Sequence, residues 1–242
     1  MLLNCDLGES FGAWKMGLDE EVMPHINMAN IACGFHAGDA DVMANTLKLA
    51  KQHKVQIGAH PSYPDQQGFG RRSMALSASE LTNCLHYQIA ALEGMAKVQG
   101  LSLSYVKPHG ALYNDMMLNE QLLTSVMSAV AHYPSPLKLM ILATADAKKH
   151  QKMADTLGLK LILEAFADRQ YTDEGLLVSR QLAGSVHNEQ ALIEQVKQLL
   201  ADGSVTTRSG KKLILDADSL CVHGDNPAGI ALIQQIKLLC KR

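Results

Sequence analysis

Asn30-Ile-Ala-Cys-Gly-Phe-His-Ala-Gly-Asp39 is the stretch on which the fold turns. A short apolar run ends at Gly34, His36 and Asp39 follow in a polar turn, and helical spacing then takes over at Val42/Met43, Leu47 and Ala50. A strand that stops at Gly34 delivers His36 to the rim of a sheet or barrel. The pattern returns in Val55-Gln-Ile-Gly-Ala-His60-Pro, in Tyr105-Val-Lys107-Pro-His109-Gly and in Ser219-Leu-Cys-Val-His223-Gly-Asp225. One strand-end histidine is ordinarily a satisfied structural residue. Four of them, each just past an apolar run and beside Gly, Pro or Ala, point to a shared edge. In α/β folds that edge is where chemistry is built.

The bulk numbers fit such a fold. A chain of 242 residues with 47% apolar content is long enough for one large core and fits a single domain as well as two smaller ones; with no clear linker along it, a single domain over 1–242 is expected. A net charge of −2 without a long charged run points away from nucleic acid and from a charged membrane surface. The five cysteines are odd in number, widely spaced and without Cys-x-x-Cys, which indicates neither a disulfide framework nor a cysteine zinc site. Asp6 and Glu9 interrupt the N-terminus early, so no signal segment is expected, and no apolar run reaches transmembrane length. The expectation is a reduced, cytoplasmic, soluble protein.

Strands are expected at Leu2–Cys5, Val55–Ala59, Tyr105–Lys107, Leu137–Leu142, Lys160–Ala165 and Leu220–Val222, besides the one before Gly34. Helices alternate with them: one capped by Asp39 or Asp41, one opened by the capping box Ser77-Ala-Ser-Glu80, then runs over 122–130, 147–157 and 192–200, and a last one behind Asn226-Pro227. Arg-Ser-Gly-Lys inside 205–215 signals a hairpin. Apolar runs without polar alternation favour strands covered on both faces. About seven mostly parallel strands that feed one rim argue for an α/β fold of the closed or nearly closed (β/α) barrel kind. The thirteen or so unpatterned residues of Pro61–Ser73 read either as a lid presenting Arg71 and Arg72 to an anion or as an exposed excursion. Trp14, the only tryptophan, is expected to be a packing residue.

The expected rim presents Asn4, Asp6, Glu9, His36, Asp39, His60, Lys107, His109, Glu164, Asp168, Arg169, His223, Asp225 and Asn226. Such a set supplies acids, bases and anion clamps but no convincing nucleophile, because Cys5 and Cys33 lie inside apolar runs. Activated water is the natural attacking group, with Asp or His drawing its proton and Lys107 or Arg169 holding a carboxylate or developing oxyanion. Asp6, His36 and His60 also form a conceivable zinc or manganese set, without any local His-Glu-x-x-His spacing to support it. No phosphate loop or dinucleotide fingerprint occurs: the glycines between Gly203 and Lys212 are wrongly spaced and sit in a hairpin.

Seven collinear blocks carry a specific likeness: Asn4-Cys-Asp-Leu-Gly-Glu, the 30–39 stretch, Gly58-Ala-His-Pro-Ser-Tyr-Pro-Asp, Gly68-Phe-Gly-Arg-Arg, Val106-Lys-Pro-His-Gly-Ala-Leu-Tyr-Asn, Glu164-Ala-Phe-Ala-Asp-Arg and Val222-His-Gly-Asp-Asn-Pro. Together they resemble the LamB/YcsF family, the family of the A subunits of bacterial 5-oxoprolinase. Leu2, Ala40 and Ser179 depart from the expected Asp, Pro and Pro, away from the polar rim. The resemblance implies an irregular (β/α) barrel similar to polysaccharide-deacetylase and glycoside-hydrolase-like barrels. It further implies ATP-dependent opening of 5-oxo-L-proline to L-glutamate together with partner subunits B and C, which would bind most of the ATP. On that basis Asp6 is the expected base with His36 or His60 assisting, and His109 or His223 protonates the departing nitrogen. Lys107, Arg169 or Arg71 holds the substrate carboxylate or phosphate, with Asn4, Asp39, Glu164, Asp168 and Asp225 completing the substrate site. A metal-dependent deacetylase or lactam hydrolase acting alone, and a non-catalytic protein that binds a small acid, are the competing readings.

Overall fold

The computed structural model describes residues 1–180, 182–222 and 227–240, the side chains of 227–229 excepted. Strands β1 (Leu2–Leu7), β2 (Met28–Ala32), β3 (Gln56–His60), β4 (Leu103–Val106), β5 (Lys138–Leu142) and β6 (Leu161–Phe166) follow one another around a closed barrel. A short antiparallel pair, β7 (Ser204–Thr206) and β8 (Lys212–Ile214), stands outside it where the hairpin signal lies. β9 (Ser219–Cys221) then closes the ring between β6 and β1. All seven barrel pairings are parallel.

Helices cover the outside: α1 (Asp19–Val22), α2 (Ala40–His53), α3 (Ala78–Val98), α4 (Gly110–Leu118), α5 (Glu120–Ala131), α6 (Ala147–Asp155), α7 (Glu189–Asp202) and α8 (Pro227–Cys240). Ser77 and Glu80 form the reciprocal cap of α3, and Asp39 caps α2 by accepting from Val42 N at 2.9 Å. The spacing of apolar residues missed α4 because Ala111, Leu112, Tyr113 and Met116 are too few to set a period against the proline and glycine before them. Asn226, the expected cap of α8, lies outside the described residues.

Strand alternation divides the buried residues into two sets. Leu3, Cys5, Leu7, Ala29, Ile31, Ile57, Ala59, Leu139, Ile141, Leu163 and Ala165 face outward and join the core beneath the helices. Met28, Tyr105, Met140 and Ile162 form a separate cluster that plugs the barrel. Polar partners lie above this plug. The Tyr105 hydroxyl donates to Asn30 Oδ1 at 2.7 Å, Asn30 Nδ2 donates to Asn4 Oδ1 at 2.8 Å, and Asn4 Nδ2 donates to Ser219 Oγ at 2.8 Å. These inward amides thus find partners in one another and in hydroxyls, as a buried polar layer requires.

Gly58 makes room for the Tyr105 ring, since a Cβ there would lie 2.2 Å from Tyr105 Cε2. Replacement by alanine should displace the ring and its bond to Asn30. Gly58→Ala is expected to lower stability by about 1–3 kcal/mol, read as a lower urea midpoint at unchanged slope. An unaltered midpoint would contradict this packing.

Candidate active site

The last inward positions of the strands carry the charges. Lys107, one residue beyond β4, is buried and its Nζ lies 2.9 Å from Asp6 Oδ1 of β1 and 2.8 Å from Glu164 Oε1 of β6. The other Glu164 oxygen accepts from the Tyr113 hydroxyl at 2.8 Å. Asn30 Nδ2 also donates to Asp6 Oδ1 at 2.8 Å. Burial opposes the Lys107 ammonium, but Asp6 and then Cys221 and Glu164 outweigh it and hold its pKa well above the ordinary lysine range. One cation therefore ties together strands that lie on different sides of the ring.

Above this pair sit three histidines. His60 ends β3, His36 follows β2 and His109 precedes α4; all three are buried. The His36 and His109 rings stack at 3.7 Å, and His60 stands perpendicular to His109 with centroids 4.8 Å apart. His36 Nε2 lies 3.2 Å from Glu9 Oε1, and His60 Nε2 lies 3.4 Å from Asp6 Oδ2. Burial, followed by the neighbouring rings, pushes the pKa of His36 and of His109 well below the usual histidine value.

The 61–73 segment is built rather than loose. The Asp65 carboxylate accepts from Gly68 N, Arg72 N and the Arg72 guanidinium, so Arg72 is spent on Asp65 and not offered to an anion. Gly70 adopts φ +64°, and a Cβ on it would lie 2.7 Å from His109 Cδ2. Gly70 O accepts from Ala111 N at 2.8 Å, which fastens the segment to the start of α4. Arg71 stays exposed, its guanidinium 5.1 Å from the Phe69 ring.

These groups border a cavity of about 1900 Å³ lined by Asp6, Glu9, His36, His60, Lys107, His109, Arg71 and Arg169 among others. Arg169 is buried, donates through Nη2 to Val178 O at 2.6 Å, and has its pKa lowered chiefly by burial. Seven of the expected rim side chains, Arg169 among them, thus share a wall with Arg71. Asn4 and Glu164 do not reach the cavity and instead support its floor from inside the barrel. Asp168 lies beside Arg169 but not on the lining. Asp39 is also off the lining, since its two oxygens accept from Val42 N and from Gly12 N at 2.7 Å. His223 and Asp225 lie outside the described residues.

Trp14 corrects its expectation. It is 79% exposed, because the glycine-rich loop after β1 turns back on itself through a Phe11–Trp14 bridge away from any core. The thiols agree with theirs: Cys33 is fully buried, which pushes its pKa up to about 12. Glu9, Phe69 and Tyr113 carry more of the site than their spacing suggests. Glu9 stands among the rim residues, and the other two fall within the quoted Gly68 and Val106 blocks, but only the folded loops show what they touch.

The depressed histidines give a pH dependence. The unfolded rings protonate near about pH 6.5 while the folded ones resist, so their contribution is complete above that value and lost as pH falls below it. The urea midpoint should therefore drop between about pH 7.5 and about pH 5.5, and drop less in His36→Gln, whose side chain takes no proton. An equal drop in the two proteins would contradict the assignment.

Comparison with known proteins gives one consistent result. The sequence pattern described as the LamB/YcsF family matches residues 1–242. The second 5-oxoprolinase A subunit of Pseudomonas putida is 55% identical over 238 residues, 98% of this chain and 92% of that protein. The 5-oxoprolinase A subunit of Vibrio campbellii is 53% identical over 98% of this chain and 94% of its own length. Among solved structures, the "Lactam Utilization Protein" of Thermus thermophilus superposes with a TM-score of 0.89 at 35% identity, covering 100% of this chain and 97% of that one. No helix among the described residues is long and apolar enough to cross a membrane. The chain belongs to the LamB/YcsF family.

Proposed function

We propose that this chain is the hydrolytic component of an ATP-dependent 5-oxoprolinase, opening 5-oxo-L-proline to L-glutamate with partner subunits B and C. The observation that carries the reading is the Asp6 carboxylate. Lys107 and Asn30 hold one of its oxygens, while the other faces His60 at the edge of an open polar cavity. Relatives more than half identical over nearly the whole chain are named as 5-oxoprolinase A subunits.

A five-membered lactam is resonance-stabilised and its closure is favoured, so opening benefits from coupling to phosphoryl transfer. The chain has no phosphate loop, and its cavity of about 1900 Å³ exceeds the few hundred Å³ that a small ring occupies. Both features suit a division of labour in which the partners bind ATP and activate the lactam oxygen. This chain then delivers water to the ring carbonyl carbon. The water oxygen bonds to that carbon and Asp6 takes the water's proton with His60 alongside. Asp6 then gives that proton to the departing nitrogen. The ring C–N bond breaks to leave a γ-acyl phosphate, which a second water cleaves to L-glutamate and inorganic phosphate. Arg71 and Arg169 are placed to hold the substrate carboxylate or phosphate. Lys107 holds the Asp6 carboxylate in position, a role its burial between two carboxylates favours over direct anion binding.

The test is glutamate release from 5-oxoproline and ATP, with the chain alone and with its candidate partners. The full set is expected to turn over and the single chain not to. Asp6→Asn, folded and still bound to its partners, should lose about 10²-fold or more in rate, as removal of a general base does. Wild-type turnover by Asp6→Asn would remove Asp6 from the mechanism. Glutamate release by the chain alone would refute the division of labour.

A further inference from the structure

The histidines hold an arrangement that two neutral rings do not satisfy by themselves. His60 Nδ1 lies 2.7 Å from Lys107 O, and His109 Nε2 lies 2.9 Å from Phe69 O. A carbonyl only accepts, so both of these nitrogens carry the ring's proton. The remaining nitrogens, His60 Nε2 and His109 Nδ1, are then bare lone pairs, yet they face each other at 3.0 Å. Two carboxylates border the same gap: Glu9 Oε1 lies 3.5 Å from His109 Nδ1, and Asp6 Oδ2 lies 3.4 Å from His60 Nε2. Lone pairs and carboxylates directed at one point call for a cation there.

We propose that Glu9, His60 and His109 bind a divalent first-row transition ion, zinc foremost. Metal–ligand bonds of about 2.0–2.1 Å put tetrahedral ligands about 3.3 Å apart. The separations of His109 Nδ1 from His60 Nε2 and from Glu9 Oε1 bracket that value. The perpendicular setting of the two rings lets both nitrogens aim at one ion. Each ring is already fixed by an outward N–H to a backbone carbonyl, the second interaction that metal-binding histidines commonly make. His36 belongs to the surroundings and not to the ligands. Its ring lies parallel to His109 within 2°, so one ion cannot lie in both ring planes. Its Nε2 can instead donate to Glu9 Oε1 at 3.2 Å and orient that carboxylate. The set thus replaces the Asp6, His36, His60 combination weighed from sequence with one that shares only His60. Three protein ligands leave a further position beside Asp6 that opens on the cavity, the layout of a catalytic and not a purely structural ion. Two nitrogens and a carboxylate suit Zn²⁺, Mn²⁺, Fe²⁺ or Co²⁺ better than Mg²⁺.

The site stands whatever reaction the cavity performs, and its test is metal binding itself. Chelator-treated full-length chain is titrated with Zn²⁺ by calorimetry and with Co²⁺ by visible absorption, and metal content is measured after gel filtration. About one ion per chain is expected, with the strong visible bands of a tetrahedral Co²⁺ site. His60→Gln and His109→Gln should each weaken binding at least about 10-fold. Glu9→Gln, at a less buried position, serves as the variant least able to disturb folding and should also weaken it. His132→Gln, on the outer surface, should leave binding unchanged. Failure of the wild type to retain Zn²⁺ or Co²⁺ would overturn the proposal. So would binding that survives all three ligand replacements, or a single shared N–H–N proton between His60 and His109 seen by NMR in metal-saturating buffer.

Discussion

The buried ammonium of Lys107 is the interaction on which the rest depends. It sits beyond β4 and touches carboxylates from β1 and β6, strands that are joined in the ring only through other strands. Removing two carboxylates and an ammonium from water costs several kcal/mol per ion, which the mutual attraction returns only where geometry is good and remaining lone pairs are filled. Here they are filled: Asn30 supplies Asp6, and Tyr113 supplies Glu164. The electrostatic cost of the barrel interior is met by placing Asp6 at one height and one orientation. Positioning of the Asp6 carboxylate and closure of the barrel therefore rest on the same contacts.

From this centre outward the molecule changes character by layers. Met28, Tyr105, Met140 and Ile162 close the bottom, an amide and hydroxyl layer follows, then the lysine with its carboxylates, then the histidines. The 61–73 segment roofs the histidines through Gly70 and Phe69, excluding water from two of the rings on that side. A barrel of small diameter is normally filled with branched aliphatic side chains. This one gives up that packing in its upper half to hold charge, which is intelligible only if the charge has work to do.

Much of this is legible in the sequence. Apolar runs ending at His36, His60 and Lys107 locate the strand ends, because a buried parallel strand cannot tolerate those groups anywhere but at its mouth. The inner layer is harder to read. Asn4 and Glu164 share the parity of cavity residues but lie a step deeper, and depth inside a barrel depends on the stagger of its strands, not on spacing along one of them. Asp39 has the setting of a rim carboxylate and is in fact a cap, two roles that the same residue type fills at the same kind of position. Trp14 illustrates the opposite limit: a large aromatic group is a good guess for the core unless its loop is too short and glycine-rich to reach one. The pairing of Arg72 with Asp65 is hidden from the sequence because it depends on how an excursion of about thirteen residues folds on itself.

The most direct test of this account is a double-mutant cycle on the buried pair, comparing the stability of wild type, Lys107→Met, Glu164→Gln and the double variant by urea unfolding. Each single change should cost about 3–5 kcal/mol by stranding a buried group, and the double change should cost little more than one of them, since neither partner is then left alone. Additive losses, with no coupling between the two positions, would contradict the claim that Lys107 holds the barrel mouth together.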